Sequence, residues 1–309
     1  MSGVKNQFYK LQPLGQNLGA EILNFEFASQ TLSPEFINQI KKDVSKYRLI
    51  VFREQKIPIT GEIQVNFSKL LGNVVSTFYK HPKSPHPDIF RVSNDENEGC
   101  TNVGRSGWHI DGTFMMTPFK YQTMYFPSVC ESGSTEFVGL KELYDSVPKN
   151  VQNSWDRLWM MAERRETPVH PLVYQHPDHP EEKTMCFHCG GNFVDGWLLE
   201  RNENVTSTNF IDENGLPTEL VENFYQNYHI QNQITEAIEK MQFGDAKLRM
   251  DWKKGDFAIN DNLGIAHYAT PGTQNKAENV GLRILHRTTV MDKKGALPTK
   301  IDGRTSFKL

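Results

Sequence analysis

From about residue 107 onward the apolar residues come in short runs broken by Gly, Pro, Asn and Asp. That punctuation fits strands joined by turns, and it conflicts with the strand and long-helix alternation of a doubly wound parallel sheet. The runs are Gln122 to Phe126, Thr135 to Val138, Met185 to His188, Leu248 to Trp252, Asp256 to Asn260 and Leu282 to Val290. They predict an antiparallel β core. Helical inserts are expected at Pro148 to Met161, where Trp155, Trp159, Met160 and Met161 read as core packing, and around Glu219 to Met241. The Pro-, His- and Glu-rich stretch His170 to Lys183 reads as a long surface loop.

The first hundred residues read differently. Ser33-Pro34 is a helix start, followed by Phe36, Ile37, Ile40 and Val44 at helical spacing. Leu49-Ile50-Val51-Phe52 reads as a buried strand. Thr60 caps a second helix with Ile63, Phe67 and Leu70 on one face and Gly72 as its stop, and Asp88 to Val92 is a further strand. The 309 residues therefore read as one elaborated domain, with a mixed lead-in over 1–100 and a β core with helical inserts over 101–295.

Hydrophobic residues make up 38% of the chain and aromatics 11%, enough for a large core. A formal net charge of -3 gives no electrostatic case for nucleic acid or an anionic membrane. Small molecules become the expected partner class, with homo-oligomerisation left open. Met1 to Gln7 lacks the apolar core of a signal peptide, no stretch reaches the ~20 apolar residues of a membrane span, and the four cysteines are too few for a disulfide framework. A cytoplasmic location is the expectation.

Within this frame stands Trp108-His109-Ile110-Asp111, with His267 far downstream. Two imidazoles and one carboxylate suit one face of a non-haem Fe(II), and residues two apart on a strand point the same way. A lone His-x-Asp is equally a structural pair, and a second copy, His176-Pro177-Asp178, lies in the polar stretch where proline argues against a central strand. Arg283, Leu285 and Arg287 share one face of an extended strand. Arginines aimed inward need either protein carboxylates or an acidic ligand, and the spacing leaves both open. Cys186 and Cys189 flank His188 at a spacing familiar from zinc and redox sites, yet no second cysteine pair accompanies them.

The ordered set Leu14 to Ile22, Val51-Phe52-Arg53-Glu54-Gln55, Trp108 to Phe114, His267-Tyr268-Ala269 and Arg283 to Arg287 resembles the taurine dioxygenase (TauD/TfdA) family of Fe(II)/2-oxoglutarate-dependent dioxygenases. The resemblance implies a mainly β fold with helical inserts around a double-stranded β-helix, or jelly-roll, core. It makes His109, Asp111 and His267 the iron ligands and catalytic centre, and gives 2-oxoglutarate to Arg283 and Thr135. Arg287 and Arg105 fall where members contact an anionic substrate, and Cys186 and His188 fall in the segment that lines the substrate pocket. The implied reaction consumes dioxygen, releases succinate and carbon dioxide, and hydroxylates a small sulfonate, carboxylate or amino-acid derivative. Oxidative ring closure of an amino dicarboxylate, as in algal kainoid synthases, is the alternative on the same centre. From other classes, a zinc hydrolase or a catalytically silent binding protein would keep the same three residues or the same fold.

Overall fold

A computed structural model of the protein describes residues 8–75, 79–104, 107–163, 165–190, 193–200, 220–221, 224–244, 246–293 and 295–308. Helix Pro34–Tyr47 starts where its cap stands: Ser33 Oγ accepts from the Phe36 N–H at 3.2 Å, and Phe36, Ile37, Ile40, Val44 and Tyr47 are buried. It ends at Arg48 in the left-handed region, φ 60°, with its guanidinium on Glu142 at 2.5 Å and Glu182 at 3.3 Å. Helix Gly61–Leu71 is capped by Thr60, but its buried face differs from the expected one. Leu70 is 40% exposed, and Gln64, Val65, Phe67, Ser68 and Leu71 face inward. The apolar pattern misplaces the face because Gln64 is buried to place its amide nitrogen, which donates to the carbonyls of Thr123 and His286, each at 3.1 Å. Gly72 closes the helix in extended backbone, φ -179°, where a Cβ would stand 2.3 Å from the Met291 carbonyl.

The protein is mainly β. Among the described residues the largest sheet has eight strands. Its order is Leu11–Pro13, Ala20–Ile22, Leu49–Phe52, Phe257–Asp261, Tyr121–Ser128, Ile284–Met291 and Asn73–Val75, with Phe90–Ser93 also paired to Ile284–Met291. Every pairing is antiparallel except Ala20–Ile22 with Leu49–Phe52. A three-stranded sheet runs Lys247–Met250, Thr135–Gly139, Ile265–Ala269. Between helix Pro34–Tyr47 and the large sheet lies an aromatic core in which Phe27, Phe36, Phe52, Phe67 and Phe257 meet mostly edge-on or tilted. Val51, Phe126, Phe137 and Ile265, on strands of both sheets, form a second core with Leu18.

Two expected elements take other forms. Helix Lys149–Trp155 stops short, and Leu158–Ala162 is a strand between Val194–Leu199 and Pro168–Pro171. Trp159 and Met160 are fully buried, as their packing role implied, but from a sheet. A short apolar run has no period of its own to separate helix from strand, so pairing decides. The stretch from His170 to Lys183 is not a surface loop: it completes the strand Pro168–Pro171 and then forms the hairpin Val173–His176 with His179–Met185. His176-Pro177-Asp178 is its turn, and His176 is buried on Asp261 at 3.0 Å. No helix among the described residues is long and apolar enough to cross a membrane.

Candidate metal and cosubstrate site

Three chain segments bring three histidines side by side. The backbone of His109 bridges that of His267 on one side, with N–H to carbonyl distances of 3.2 and 2.9 Å, and that of His188 on the other. Cross-strand neighbours on one face stand within reach of each other, which gives the row its spacing. The His109 and His267 rings lie 4.4 Å apart, and His188 stacks on His109 at 4.6 Å with Phe193 on its far side at 4.2 Å. His109 Nδ1 is bonded to the Gly107 carbonyl at 2.7 Å, so its Nε2 is the nitrogen left for the site.

Asp111, two residues on, completes the group. Its carboxylate lies 3.9 Å from His109 Nε2 and 3.6 Å from His267 Nε2, and one donor atom from each of the three residues falls within 4.8 Å of the others. Its main chain is held on both sides by Asn262, which accepts from the Asp111 N–H and donates to the Asp111 carbonyl, each at 2.9 Å. Arg287 Nη1 reaches Asp111 Oδ2 at 2.5 Å, and Gln122 Nε2 donates to the same oxygen.

Burial by itself would raise the Asp111 carboxyl, but Arg287, then His267 and His109, outweigh it and hold the group well below the usual carboxylate range. Burial, reinforced by His109, pushes His267 down to about 3, and burial also lowers His109. Two neutral imidazoles beside one ionised carboxylate are the protonation states a divalent cation needs. In donor type, spacing and charge, the residues fit a bound iron(II).

The site opens on a cavity of about 580 Å³. Arg283, Leu285, Arg287 and Thr289 all line it, as alternation along Ile284–Met291 and its preceding residue requires. Arg283 is only 6% exposed, lies over the Phe126 ring at 5.8 Å, and has no ion-pair partner among the described residues. Burial lowers its pKa. Thr135 shares the cavity, pairs cross-strand with Ala269 two residues beyond His267, and has its hydroxyl oxygen held by Trp252 Nε1 at 2.9 Å. The Thr135 proton is thereby left to donate. Gly133, just ahead, holds φ +84°, and a Cβ there would meet the Thr273 nitrogen at 2.4 Å.

The other expected site residues divide. His188 is on the cavity wall, in the ring stack. Cys186 is not: it is fully buried in the core with Leu172, Met185 and Phe187, because the strand ends at Met185 and the alternation does not carry through to the wall. Arg287, expected to await an acidic ligand, is paired with Asp111. Arg105 lies outside the described residues. Gln122 and Asn262 were missed, although a glutamine opening the apolar run to Phe126 is a signal that a buried polar group has work to do.

The model of the family "Taurine catabolism dioxygenase TauD, TfdA family" matches residues 10–289. The chain belongs to this family. As a TauD/TfdA protein it is an Fe(II)/2-oxoglutarate-dependent dioxygenase, drawing on iron(II), 2-oxoglutarate and dioxygen. The alpha-ketoglutarate-dependent sulfate ester dioxygenase of Pseudomonas putida is 25% identical over 317 positions, spanning 96% of this chain and 93% of that one. A taurine dioxygenase from Burkholderia xenovorans has the same fold, with TM-score 0.71 at 22% identity over 98% of this chain and 96% of that one. AAD-2, solved with Mn(II) and N-oxalylglycine, superposes with TM-score 0.64 at 17% identity over 92% of this chain and 97% of that one.

The histidines also set the acid response of this TauD/TfdA chain. Burial holds His170 at about 4 and, like His267, His286 at about 3. Unfolded, each titrates near ~6.5, so below that pH the unfolded chain takes up protons that the fold refuses. The contribution of these histidines to the stability of the metal-free protein is then complete above about pH 7 and is expected to fall on acidification by up to about 1.4 kcal/mol per pH unit for each. Asp111 adds to the loss at lower pH, since its depressed pKa stabilises the fold only while the group stays ionised. Urea unfolding between about pH 8 and about pH 5 reads this slope; equal midpoints across the range contradict it.

Proposed function

We propose that His109, Asp111 and His267 hold one iron(II), that Arg283 and Thr135 bind the distal carboxylate of 2-oxoglutarate, and that the enzyme hydroxylates a C–H bond of a small organic anion. The observation that carries this reading is the buried Arg283 guanidinium, without counter-charge among the described residues, opening on the same cavity as the His/Asp/His group. A desolvated cation kept unpaired is costly unless a ligand carboxylate completes it. The Thr135 hydroxyl oxygen, which accepts from Trp252 Nε1, keeps its own proton to donate to the same carboxylate.

When bound, the metal with its keto-acid and dioxygen supplies oxidative decarboxylation, giving succinate and carbon dioxide, coupled to substrate oxidation. The chain's own part is placement. Asn262 fixes the Asp111 backbone, Gly107 fixes the His109 ring, and Phe90, Phe114, Phe119 and Phe193 give the cavity an apolar wall. We read the eight-stranded and three-stranded sheets as the two halves of a jelly roll around this centre. Support for an anionic substrate comes from the sulfate ester dioxygenase among the relatives, and Arg287, though paired with Asp111, stands on the cavity wall where such an anion would enter. Sulfonates, carboxylates and amino-acid derivatives of that size are the compounds to screen, by substrate-triggered succinate release with mass analysis of the product.

The direct test is optical. Anaerobic addition of iron(II) and 2-oxoglutarate is expected to produce a weak visible charge-transfer band that neither component gives with the protein alone. A protein that stays colourless under those conditions refutes the assignment.

A further inference from the structure

Gln122 stands on the strand Tyr121–Ser128, opposite Asn260 on one neighbouring strand and Thr289 on the other. It is 1% exposed and lines the cavity. Its amide donates to Asp111 Oδ2, the oxygen that also receives Arg287, while Oδ1 accepts no hydrogen bond among the described residues. Oδ2 lies 3.6 Å from His267 Nε2 and Oδ1 lies 3.9 Å from His109 Nε2; a carboxylate held at one oxygen is hindered from turning about its Cβ–Cγ bond, and the oxygen without a hydrogen bond is the one left for a cation.

The two grips are not equivalent. Arg287 is a cation on the cavity wall, and an organic anion entering the cavity competes with Asp111 for it. Gln122 is neutral and held between two strands, so an incoming anion has no comparable pull on it. Asn262 controls only the Asp111 main chain. The side chain therefore depends on Gln122 whenever Arg287 is drawn away.

We propose that Gln122 is a positioning residue for Asp111, holding Oδ2 so that Oδ1 faces the metal with Arg287 on or off the carboxylate. The proposal rests on the reading of His109, Asp111 and His267 as metal ligands.

The test compares wild type with Gln122→Leu and Gln122→Met, which keep the bulk and remove the donor. Thr123→Val serves as a control for the same strand, since Thr123 turns the other way toward Gln64 and Ser68. Mn(II) affinity in the presence of 2-oxoglutarate is read by electron paramagnetic resonance, the anaerobic Fe(II)/2-oxoglutarate band by its wavelength, and folding by circular dichroism of the metal-free proteins. Both Gln122 variants are expected to stay folded, to bind Mn(II) about tenfold or more weakly, and to shift the band, with Thr123→Val matching wild type. Wild-type Mn(II) affinity and an unmoved band in a folded Gln122 variant overturn the proposal, as does an equal loss in Thr123→Val, which marks strand packing. If wild type itself binds no Mn(II), the ligand reading beneath the proposal is what fails.

Discussion

His109→Ala is expected to leave a folded protein that retains no iron after dialysis and forms succinate more than about a hundredfold more slowly, beyond the usual cost of losing an outer partner of a metal ligand. The fold survives because His109 meets His267 and His188 through main-chain hydrogen bonds and bridges, which alanine keeps. What disappears is the imidazole whose Nδ1 rests on the Gly107 carbonyl, and with it the first ring of the stack that runs through His188 to Phe193. Metal analysis and single-turnover succinate measurement on the same sample check the outcome. Iron retained at wild-type stoichiometry would remove His109 from the ligand set.

Arg283→Ala is expected to act in two opposite directions. Loss of a charge-assisted contact of about 2–4 kcal/mol raises the 2-oxoglutarate concentration for half-maximal turnover by roughly 30- to 1000-fold. In the absence of cosubstrate the same change removes a buried, unpaired cation, so the metal-free variant should melt at a temperature no lower than wild type. A guanidinium with a purely structural role would give the reverse pattern, an unchanged cosubstrate requirement with a lower melting temperature.

How legible these features were in the chain follows from the range of the forces that make them. Alternation along 283–289 placed Arg283, Leu285 and Arg287 on one wall because a strand's period is local and its pairing partners do not alter it. The caps Ser33 and Thr60 were likewise visible, each being satisfied within three residues of itself. The face of helix Gly61–Leu71 was not, since Gln64 goes inward only to reach carbonyls on strands far along the chain. The same holds at the centre. Nothing within ten residues of Arg287 announces that it pairs with Asp111, and Cys186 leaves the cavity because its strand ends one residue earlier. The proposed ligand group could be singled out only through the ordered family pattern, as the second His-x-Asp at His176 shows: it too has a buried imidazole, but spent on Asp261.

The main-chain bridge between His109 and His267 has a consequence for how such a centre tolerates change. Its width is set by sheet spacing, a quantity that every antiparallel ladder shares, so the connections between the strands of 112–266 can lengthen or shorten without retuning the distance between the two rings, provided the strands and turns that carry Gln122, Thr135, His188 and Asn262 keep their places. Insertions in that span can remodel the chamber and what enters it while the grip at its floor stays the same.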